Sequence, residues 1–306
     1  MIIRLGYVAI SKAFDITSSG TITYTNYLKE ENKNEKLDKI IKSNLDNLEK
    51  ILNYNVKNNI HFYRLTSKLI PLATHKNVSF EYINTYKDYY DKISKIIDKN
   101  NMRVDVHPDQ FCVLNSNNSI EILKYHINIL EALKIKSPVI VLHTGSSVFG
   151  KEKSITRFVN NFNKLPDNIK NSIVIENDDK IYNASDVLNL CKKINRPMVL
   201  DYHHHICNPC DNIDDMLGKI FDTWKDIRPK VHFSSPKNKT KKDFRSHHDY
   251  INSDDFIQFI EKIKKYNVDI DIMIEAKAKD DALFRLVREL KYKTNYKFID
   301  ETSFEI

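Results

Sequence analysis

Residues 201–205 read Asp-Tyr-His-His-His and combine one carboxylate with three imidazoles in a short stretch. They follow the apolar segment Met198-Val199-Leu200, so we expect them where a buried strand opens into a loop. Carboxylates and imidazoles at a strand end are typical ligands of a divalent metal. A chance histidine run on a solvated loop would have the same composition. The interpretation therefore depends on whether other strands end in similar residues.

The rest of the chain alternates apolar segments of strand length with longer amphipathic segments. The predicted strands are 2–9, 60–66, 102–107, 139–143, 172–176, 198–201, 230–234 and 269–275. The predicted helices are 34–58, 79–99, 119–133, 154–165, 184–193, 213–224, 253–266 and 278–290. Eight strands, each followed by a helix, predict an α/β fold with a single closed (β/α)8 TIM barrel. A doubly wound open sheet is the alternative, but no glycine-rich nucleotide loop follows the first strand. We assign residues 1–306 to one domain, with 294–306 as a C-terminal appendage packed on the barrel.

In such barrels the catalytic groups gather at the carboxyl ends of the strands. The strand ends in order are Tyr7, Arg64, His107, His143, Glu176, Asp201, His232 and Glu275. All are polar or ionisable, and burying so many such groups without partners would be costly. Lys230 lies two residues before His232, so both side chains should face the barrel interior. The lysine could pair with a carboxylate, bind phosphate, or become a metal ligand after carboxylation.

Two loops after the strands carry residues suited to nucleic acid. Gln110 and Phe111 could insert into or stack on bases, or equally cap the next helix. Residues 236–245 concentrate five cations, among them Lys237, Lys239 and Arg245, beside a second His/Asp cluster. A basic loop next to a metal site indicates a phosphate-bearing substrate, although such runs are more often solvated surface. The Cys-x-x-Cys at 207–210 lacks a second ligand pair or a thioredoxin-like setting, so it predicts neither a zinc site nor a redox pair.

Composition agrees with a polyanionic partner but does not require one. The formal net charge is +7, a modest surplus that many soluble enzymes share. No apolar run approaches the length needed to cross a bilayer, and the N-terminus lacks a signal-peptide layout. We therefore expect a soluble, cytoplasmic, monomeric protein with no membrane partner.

The ordered strand-end motifs resemble those of the UV damage endonucleases, a family related in fold to endonuclease IV. The resemblance covers residues 4 to about 277. The matching motifs are Arg4-Leu5-Gly6-Tyr7-Val8, Tyr63-Arg64-Leu65-Thr66-Ser67, His107-Pro108-Asp109-Gln110-Phe111, Leu142-His143-Thr144-Gly145, Ile175-Glu176-Asn177-Asp178, Asp201-Tyr202-His203-His204-His205, Lys230-Val231-His232-Phe233-Ser234-Ser235 and Ile274-Glu275-Ala276-Lys277. It implies a barrel nuclease with up to three divalent metals, commonly Mn²⁺, with Zn²⁺ or Mg²⁺ as alternatives.

The resemblance also implies roles for individual residues. One metal would be held by His107, His143 and Glu176, and a second by Glu176, Asp201, His232 and Glu275. A third would be held by His204, His247 and a modified Lys230, with His247 chosen over His248 by its spacing to Asp249. The expected contacts to DNA or the lesion are Tyr7, Arg64, His75, Gln110, Phe111, Lys237, Lys239 and Arg245. Phe111 departs from the tyrosine of the family's base-probing pair; it keeps the stacking face and loses the hydroxyl.

The predicted activity is hydrolysis of the phosphodiester immediately 5′ to a UV photolesion in duplex DNA, leaving a 3′-hydroxyl and a 5′-phosphate. Metal ions suit this chemistry because they lower the pKa of water and neutralise charge on phosphate oxygens. The residues expected to carry it are Glu176, Lys230, His232 and Glu275. Three alternatives stay open: an apurinic-site endonuclease, a metal-dependent sugar isomerase or epimerase, and a non-catalytic DNA-binding scaffold.

Overall fold

A computed structural model describes residues 1–109, 112–115, 119–148 and 150–306. Eight parallel strands pair in sequence order, and the pairing of the first with the second closes the barrel. The strands are β1 (Ile2–Val8), β2 (Phe62–Leu65), β3 (Arg103–Val106), β4 (Ile140–His143), β5 (Ile173–Glu176), β6 (Met198–Asp201), β7 (Lys230–Phe233) and β8 (Ile270–Ile274). The predicted (β/α)8 architecture is confirmed.

Helices connect successive strands and cover the outside of the barrel. They are α1 (Tyr24–Lys29), α2 (Lys33–Lys57), α3 (Tyr82–Thr85), α4 (Lys87–Lys99), α5 (Ser119–Ala132), α6 (Lys151–Asn163), α7 (Asp167–Ser172), α8 (Ala184–Ile194), α9 (Tyr202–Cys207), α10 (Ile213–Asp222), α11 (Ser253–Ile263) and α12 (Lys279–Lys293). The short helices α1, α7 and α9 were not predicted, because each is about six residues long and shows too few turns for a helical period. The predicted helix 79–99 is divided at Tyr86 into α3 and α4.

The C-terminal tail is part of the sheet. It forms β9 (Lys297–Phe298) and β10 (Ser303–Glu305), and β10 pairs antiparallel with the first half of β1. Backbone bonds run from Leu5 N to Thr302 O at 3.0 Å and from Ile306 N to Met1 O at 3.1 Å. The tail therefore extends the sheet by hydrogen bonding, which is closer integration than the packed appendage predicted from the sequence.

Alternate side chains of each strand face the barrel interior. On one side Val139, Val141, Val174 and Val199 form a small apolar cluster with Trp224, while the residues between them belong to the large core under the helices. The same alternation directs Lys230 and His232 inward, as predicted, and both are buried. Beneath the strand ends, the interior is thus apolar on the β4–β6 side, while Lys230 of β7 brings a buried charge.

The base of the barrel is closed by ion pairs around Asp271. Its carboxylate accepts from Arg4 at 2.7 and 2.8 Å and from Arg103 at 2.9 Å. Arg103 also lies against the rings of Phe62 and Trp224. Desolvation disfavours the charged form of Asp271, but the arginines outweigh it and hold its pKa below the ordinary value. Asp271 is therefore a structural residue.

The close approach of β1 to β2 requires a glycine. Gly6 is opposite Phe62 in the register of the two strands, and a Cβ at Gly6 would press on the Phe62 carbonyl oxygen. Among the described residues, no helix has both the length and the apolar character to cross a membrane.

Candidate metal centre

Glu176, the last residue of β5, is at the centre of a cluster at the carboxyl ends of the strands. Its Oε2 lies 2.9 Å from His107 Nε2 and 3.6 Å from His143 Nε2. Its Oε1 lies 2.6 Å from His232 Nδ1 and 3.7 Å from His204 Nδ1. The glutamate is buried, so it reaches four imidazoles with both oxygens at a site protected from solvent.

The residues around Glu176 form two groups with the spacing of metal ligands. One is His107, His143 and Glu176; the other is Glu176, Asp201, His232 and Glu275. In each group, one possible ligand atom per residue lies within 4.8 Å of the others. Glu176 belongs to both groups. These are the first two ligand sets that the family resemblance implies, and they are drawn from six strand ends.

Asp201 and His204 are related by a helix cap. Asp201 Oδ1 accepts the backbone N–H of His204 at 2.8 Å, which starts α9. The predicted loop is therefore a short helix, and the cap turns His204 back over the end of β6. His204 Nδ1 lies 3.6 Å from Asp201 Oδ2, whereas His203 and His205 are buried beside the thiols of Cys207 and Cys210. The preference for His204 over its neighbours agrees with this geometry.

Backbone carbonyl oxygens orient two histidines of the cluster. A carbonyl oxygen only accepts, so His107 Nδ1 donates to Pro108 O at 3.0 Å and His204 Nδ1 donates to Asn177 O at 2.9 Å. In the neutral His107 ring, the Nε2 lone pair then faces the Glu176 carboxylate. Either a proton or a metal ion between these two atoms would stabilise the contact. Imidazoles oriented by backbone carbonyls in this way are typical of metal ligands.

The buried charges of the cluster are incompletely compensated by the protein. Asp201 Oδ2 has no hydrogen-bond partner among the described residues. Burial raises the pKa of Asp201 well above its ordinary value, and the nearby Glu176 and Glu275 add to this. Burial acts in the same direction on Glu176, but His232 and His143 outweigh it and hold the pKa of that carboxyl well below its ordinary value. A bound divalent cation would satisfy these groups, so the residues present fit a metal.

The imidazoles have different protonation tendencies. Burial lowers the pKa of His232 to about 4 and also lowers those of His143 and His247. These rings are neutral at pH 7, as metal ligands must be. Burial also favours a lower pKa for His204, but the carboxylates of Asp201 and Glu176 outweigh this effect and raise the pKa to about 9. His204 is therefore protonated at pH 7, and a bound metal cation would take the place of its positive charge.

Arg64 is within the cluster, although the sequence predicted it as a DNA contact. It is 5% exposed; Nη1 donates to Glu275 Oε1 at 2.6 Å and Nη2 lies 2.5 Å from His232 Nε2. Because a guanidinium only donates, His232 Nε2 accepts and its Nδ1–H is directed at Glu176, so His232 could bind a metal only by giving up one of these two contacts. Its Nε has no hydrogen-bond partner among the described residues and lies 3.5 Å from Asp105 Oδ1. Arg64 orients Glu275 and His232, and its contact with DNA stays a prediction.

Lys230 is paired with a residue that the sequence analysis missed. Its Nζ donates to Asp105 Oδ2 at 2.5 Å, and both side chains are fully buried. Burial lowers the pKa of Lys230 to about 8, against the attraction of Asp105. The alternation Arg103-Val104-Asp105-Val106-His107, with every second residue polar, was the signal for an inward-facing Asp105. Of the roles left open for Lys230, the structure shows the carboxylate pair.

Tyr7 lies on the helix side of the barrel wall. It is fully buried on the outer face of β1, and its hydroxyl donates to Asn55 Oδ1 of α2 at 2.8 Å. Arg4 faces the barrel interior, so strand parity directs Tyr7 to the helices. The contact of Tyr7 with a lesion stays a prediction.

The other predicted residues are on the rim of the barrel. His75 is half-buried and its ring stacks on Tyr24 at 4.1 Å. His247 Nδ1 is 4.0 Å from Glu275 Oε2, whereas His248 Nδ1 accepts from Tyr250 N at 2.9 Å. The cations of the basic loop, Lys237, Lys239 and Arg245, are exposed. Gln110 and Phe111 lie outside the described residues.

The fold and the cluster define the class of protein as a (β/α)8 barrel with a strand-end centre of histidines and carboxylates. A family model described as UV-endonuclease UvdE matches residues 3–304. The chain is 42% identical to the UV DNA damage endonuclease of Bacillus cereus strain G9842 over 303 residues, which is 95% of each protein. It therefore belongs to the UV-endonuclease UvdE family.

Solved structures agree with this assignment. The crystal structure of SacUVDE superposes with a TM-score of 0.85 at 34% identity, covering 95% of this chain and 98% of that one. A D-tagatose 3-epimerase-like protein superposes with a TM-score of 0.56 at 16% identity, over 94% and 96% of the two chains. The second likeness shows the barrel fold alone.

Proposed function

We propose that this protein is a metal-dependent endonuclease that hydrolyses the phosphodiester 5′ to UV photolesions in duplex DNA. The products are a 3′-hydroxyl and a 5′-phosphate. The observation that carries the proposal is the buried Glu176 shared by two ligand groups, in a chain of the UvdE family. Its relatives are named UV DNA damage endonucleases, whereas the likeness to a D-tagatose 3-epimerase-like protein is evidence of the barrel fold alone.

The two ligand groups would hold the metals, with Glu176 common to both. Divalent cations bound there would lower the pKa of water and neutralise charge on the phosphate. The choice among Mn²⁺, Zn²⁺ and Mg²⁺ stays open, although a mixed imidazole and carboxylate set suits Mn²⁺ or Zn²⁺ better than Mg²⁺. His204 and His247 are the proposed ligands of a third ion. Participation of a carboxylated Lys230 requires that it leave Asp105.

The protein's own residues hold this set in position. Asn177 accepts the Asp201 N–H at 2.9 Å and donates to the Asp201 carbonyl oxygen at 2.9 Å, while its own carbonyl oxygen orients His204. Arg64 orients Glu275 and His232 from below. Outside the centre, the exposed Lys237, Lys239 and Arg245 offer charge to phosphates of the strand that enters.

The test compares nicking of UV-irradiated and undamaged duplex by the purified protein with Mn²⁺. We expect faster nicking of irradiated DNA, and no nicking by Glu176→Gln, which should still bind duplex. An apurinic-site duplex forms a third arm. Equal rates on irradiated and undamaged DNA would refute the lesion specificity, and nicking of the apurinic duplex alone would favour the apurinic-site alternative.

Metal binding is measured separately by calorimetry with Mn²⁺. Glu176→Gln should lose both ligand groups, and His204→Ala should lose at most one ion. The matched control is His205→Asn, since His205 is buried beside Cys210 and faces away from Glu176. Unchanged Mn²⁺ binding by Glu176→Gln would contradict the assignment of the centre.

A further inference from the structure

Lys279 has an unusual backbone conformation beside the candidate metal centre. It is four residues after Glu275 and begins α12, with a φ of 55°. This left-handed conformation is strained for a lysine, and Asn or Gly would adopt it at lower cost. Strain of this kind persists where the surrounding structure enforces it and is frequent at functional sites. The side chain at this position therefore needs an explanation.

The turn that contains Lys279 is fixed from both sides. Lys277 N donates to His248 O at 3.1 Å and Ala278 N donates to Asp249 O at 3.0 Å. These bonds attach the turn to the segment that carries His247. On the other side Asp280, which is fully buried, accepts from Ser11 Oγ at 2.7 Å. The position of Lys279 is thus determined by two neighbouring loops.

Asp280 also brings a second cation to the same place. It accepts the backbone N–H of Lys12 at 2.5 Å and that of Ala13 at 3.2 Å. Lys12 is exposed, and its charge contributes to lowering the pKa of Lys279. The backbone of Lys12 is therefore fixed beside the turn that carries Lys279.

The ammonium group of Lys279 has no partner in the described part of the chain. The residue is half-buried and its backbone N–H donates to Ala276 O at 3.2 Å, but its side chain makes neither a hydrogen bond nor an ion pair there. Burial lowers its pKa; Glu275 opposes this, and Arg64 and Lys12 reinforce it. Glu275 Oε1 accepts from Arg64 at 2.6 Å and lies 3.2 Å from His232, and Oε2 is 4.0 Å from His247. An ammonium group that pairs with none of the described carboxylates is suited to an anion from outside the protein.

We propose that Lys279, together with Lys12, binds a backbone phosphate of the DNA strand beside the Glu275 edge of the metal centre. This inference rests on the proposed function, because that function brings a phosphodiester to this edge. The ammonium groups contact the non-bridging oxygens of the phosphate and place the strand against the centre. The contact is independent of base sequence and of the lesion.

The experiment measures affinity for a short undamaged duplex against salt concentration, with a chelator present so that no metal contributes. Lys279→Asn should lower the slope of log affinity against log salt by about 0.9, the effect of one lost phosphate contact. Its melting temperature should be unchanged or higher, because Asn tolerates the left-handed conformation. Lys279→Arg should keep the wild-type slope.

Lys225→Asn is the matched control. Lys225 is also a lysine with a left-handed backbone, at φ 53°, but it precedes β7 at the opposite end of the barrel. The control removes the same charge and the same strain, so it should leave the slope unchanged.

The outcomes separate this proposal from the proposed function. If Lys279→Asn and Lys225→Asn have the same slope while the wild type nicks irradiated duplex, the phosphate contact is refuted and the nuclease stands. If the wild type does not nick irradiated duplex but Lys279→Asn lowers the slope, the proposed activity fails and the phosphate contact stands.

Discussion

Replacement of Asp105 by Asn tests the buried pair beneath the metal centre. Asp105 and Lys230 are both fully buried, at 2.5 Å, and Arg64 Nε is 3.5 Å from the same carboxylate. The substitution leaves the Lys230 ammonium without its counter-ion at a site that water does not reach. Removing one partner of such a pair typically costs about 3–5 kcal/mol. For a chain of this size the melting temperature should fall by about 5–8 °C.

The assay is thermal and urea unfolding at pH 7 with a chelator present. A surface pair on α2 provides the matched control. Lys42 and Asp38 are 2.8 Å apart, but their side chains are 47% and 34% exposed. Asp38→Asn should cost no more than about 0.5 kcal/mol. The double variant Asp105→Asn with Lys230→Met should recover most of the loss, because it removes the unpaired charge.

This experiment also decides between two roles of Lys230. A carboxylated Lys230 is anionic and would be repelled by Asp105, so Asp105→Asn would then be neutral or stabilising. A loss no larger than that of Asp38→Asn would refute the reasoning from the buried pair and favour carboxylation.

Three further outcomes are expected. Burial lowers the pKa of His126 from 6.5 to about 3, so its contribution to stability is present above pH 6.5 and is lost as the pH falls toward 3. Between pH 7 and 5 the free energy of unfolding in urea should therefore fall by about 2 kcal/mol more for the wild type than for His126→Phe. An equal pH dependence of the two unfolding free energies would contradict this. Tyr7→Phe should lower the free energy of unfolding by about 1 kcal/mol, because it removes the hydrogen bond to Asn55. Its rate of nicking irradiated duplex should stay within about twofold of the wild type, and a larger loss of rate would support the contact with the lesion. Gly6→Ala should destabilise the barrel by several kcal/mol in thermal unfolding, because its Cβ meets the Phe62 carbonyl oxygen, and an unchanged melting temperature would show that β1 can shift.

The barrel and most of the candidate ligands could be predicted from the sequence because each apolar strand pattern is followed directly by an ionisable residue. An apolar strand predicts burial, and an ionisable residue at its end predicts a shared partner. His107, Glu176 and Asp201 carry both signals, and the structure brings them together. Their roles as ligands stay predictions until a metal is observed.

The direction and burial of side chains within strands could not be predicted as well. Residues 2–9 are mostly apolar, so their composition does not show which face is inward. Arg4 was the clue, since an arginine on the inner face places Tyr7 on the outer one. Arg64 does face inward, but its burial depends on Glu275, Asp105 and His232, which are distant in sequence. Such contacts are set by barrel closure and have no local signal.

The pairing of β10 with β1 has a consequence for the order of folding. Ile2 is opposite Glu305, and Leu5 bonds to Thr302, so the first strand acquires this partner only after residue 305 has been synthesised. Until then the first half of β1 pairs with β8 on one edge only, and its other edge is open. The barrel is then closed only by the short pairing of β1 with β2 near Gly6. Contacts that span so much of the chain form slowly, since a long loop must be ordered first. A nascent chain of this protein would thus expose a strand edge during synthesis, and its closure would be the step most open to capture by chaperones.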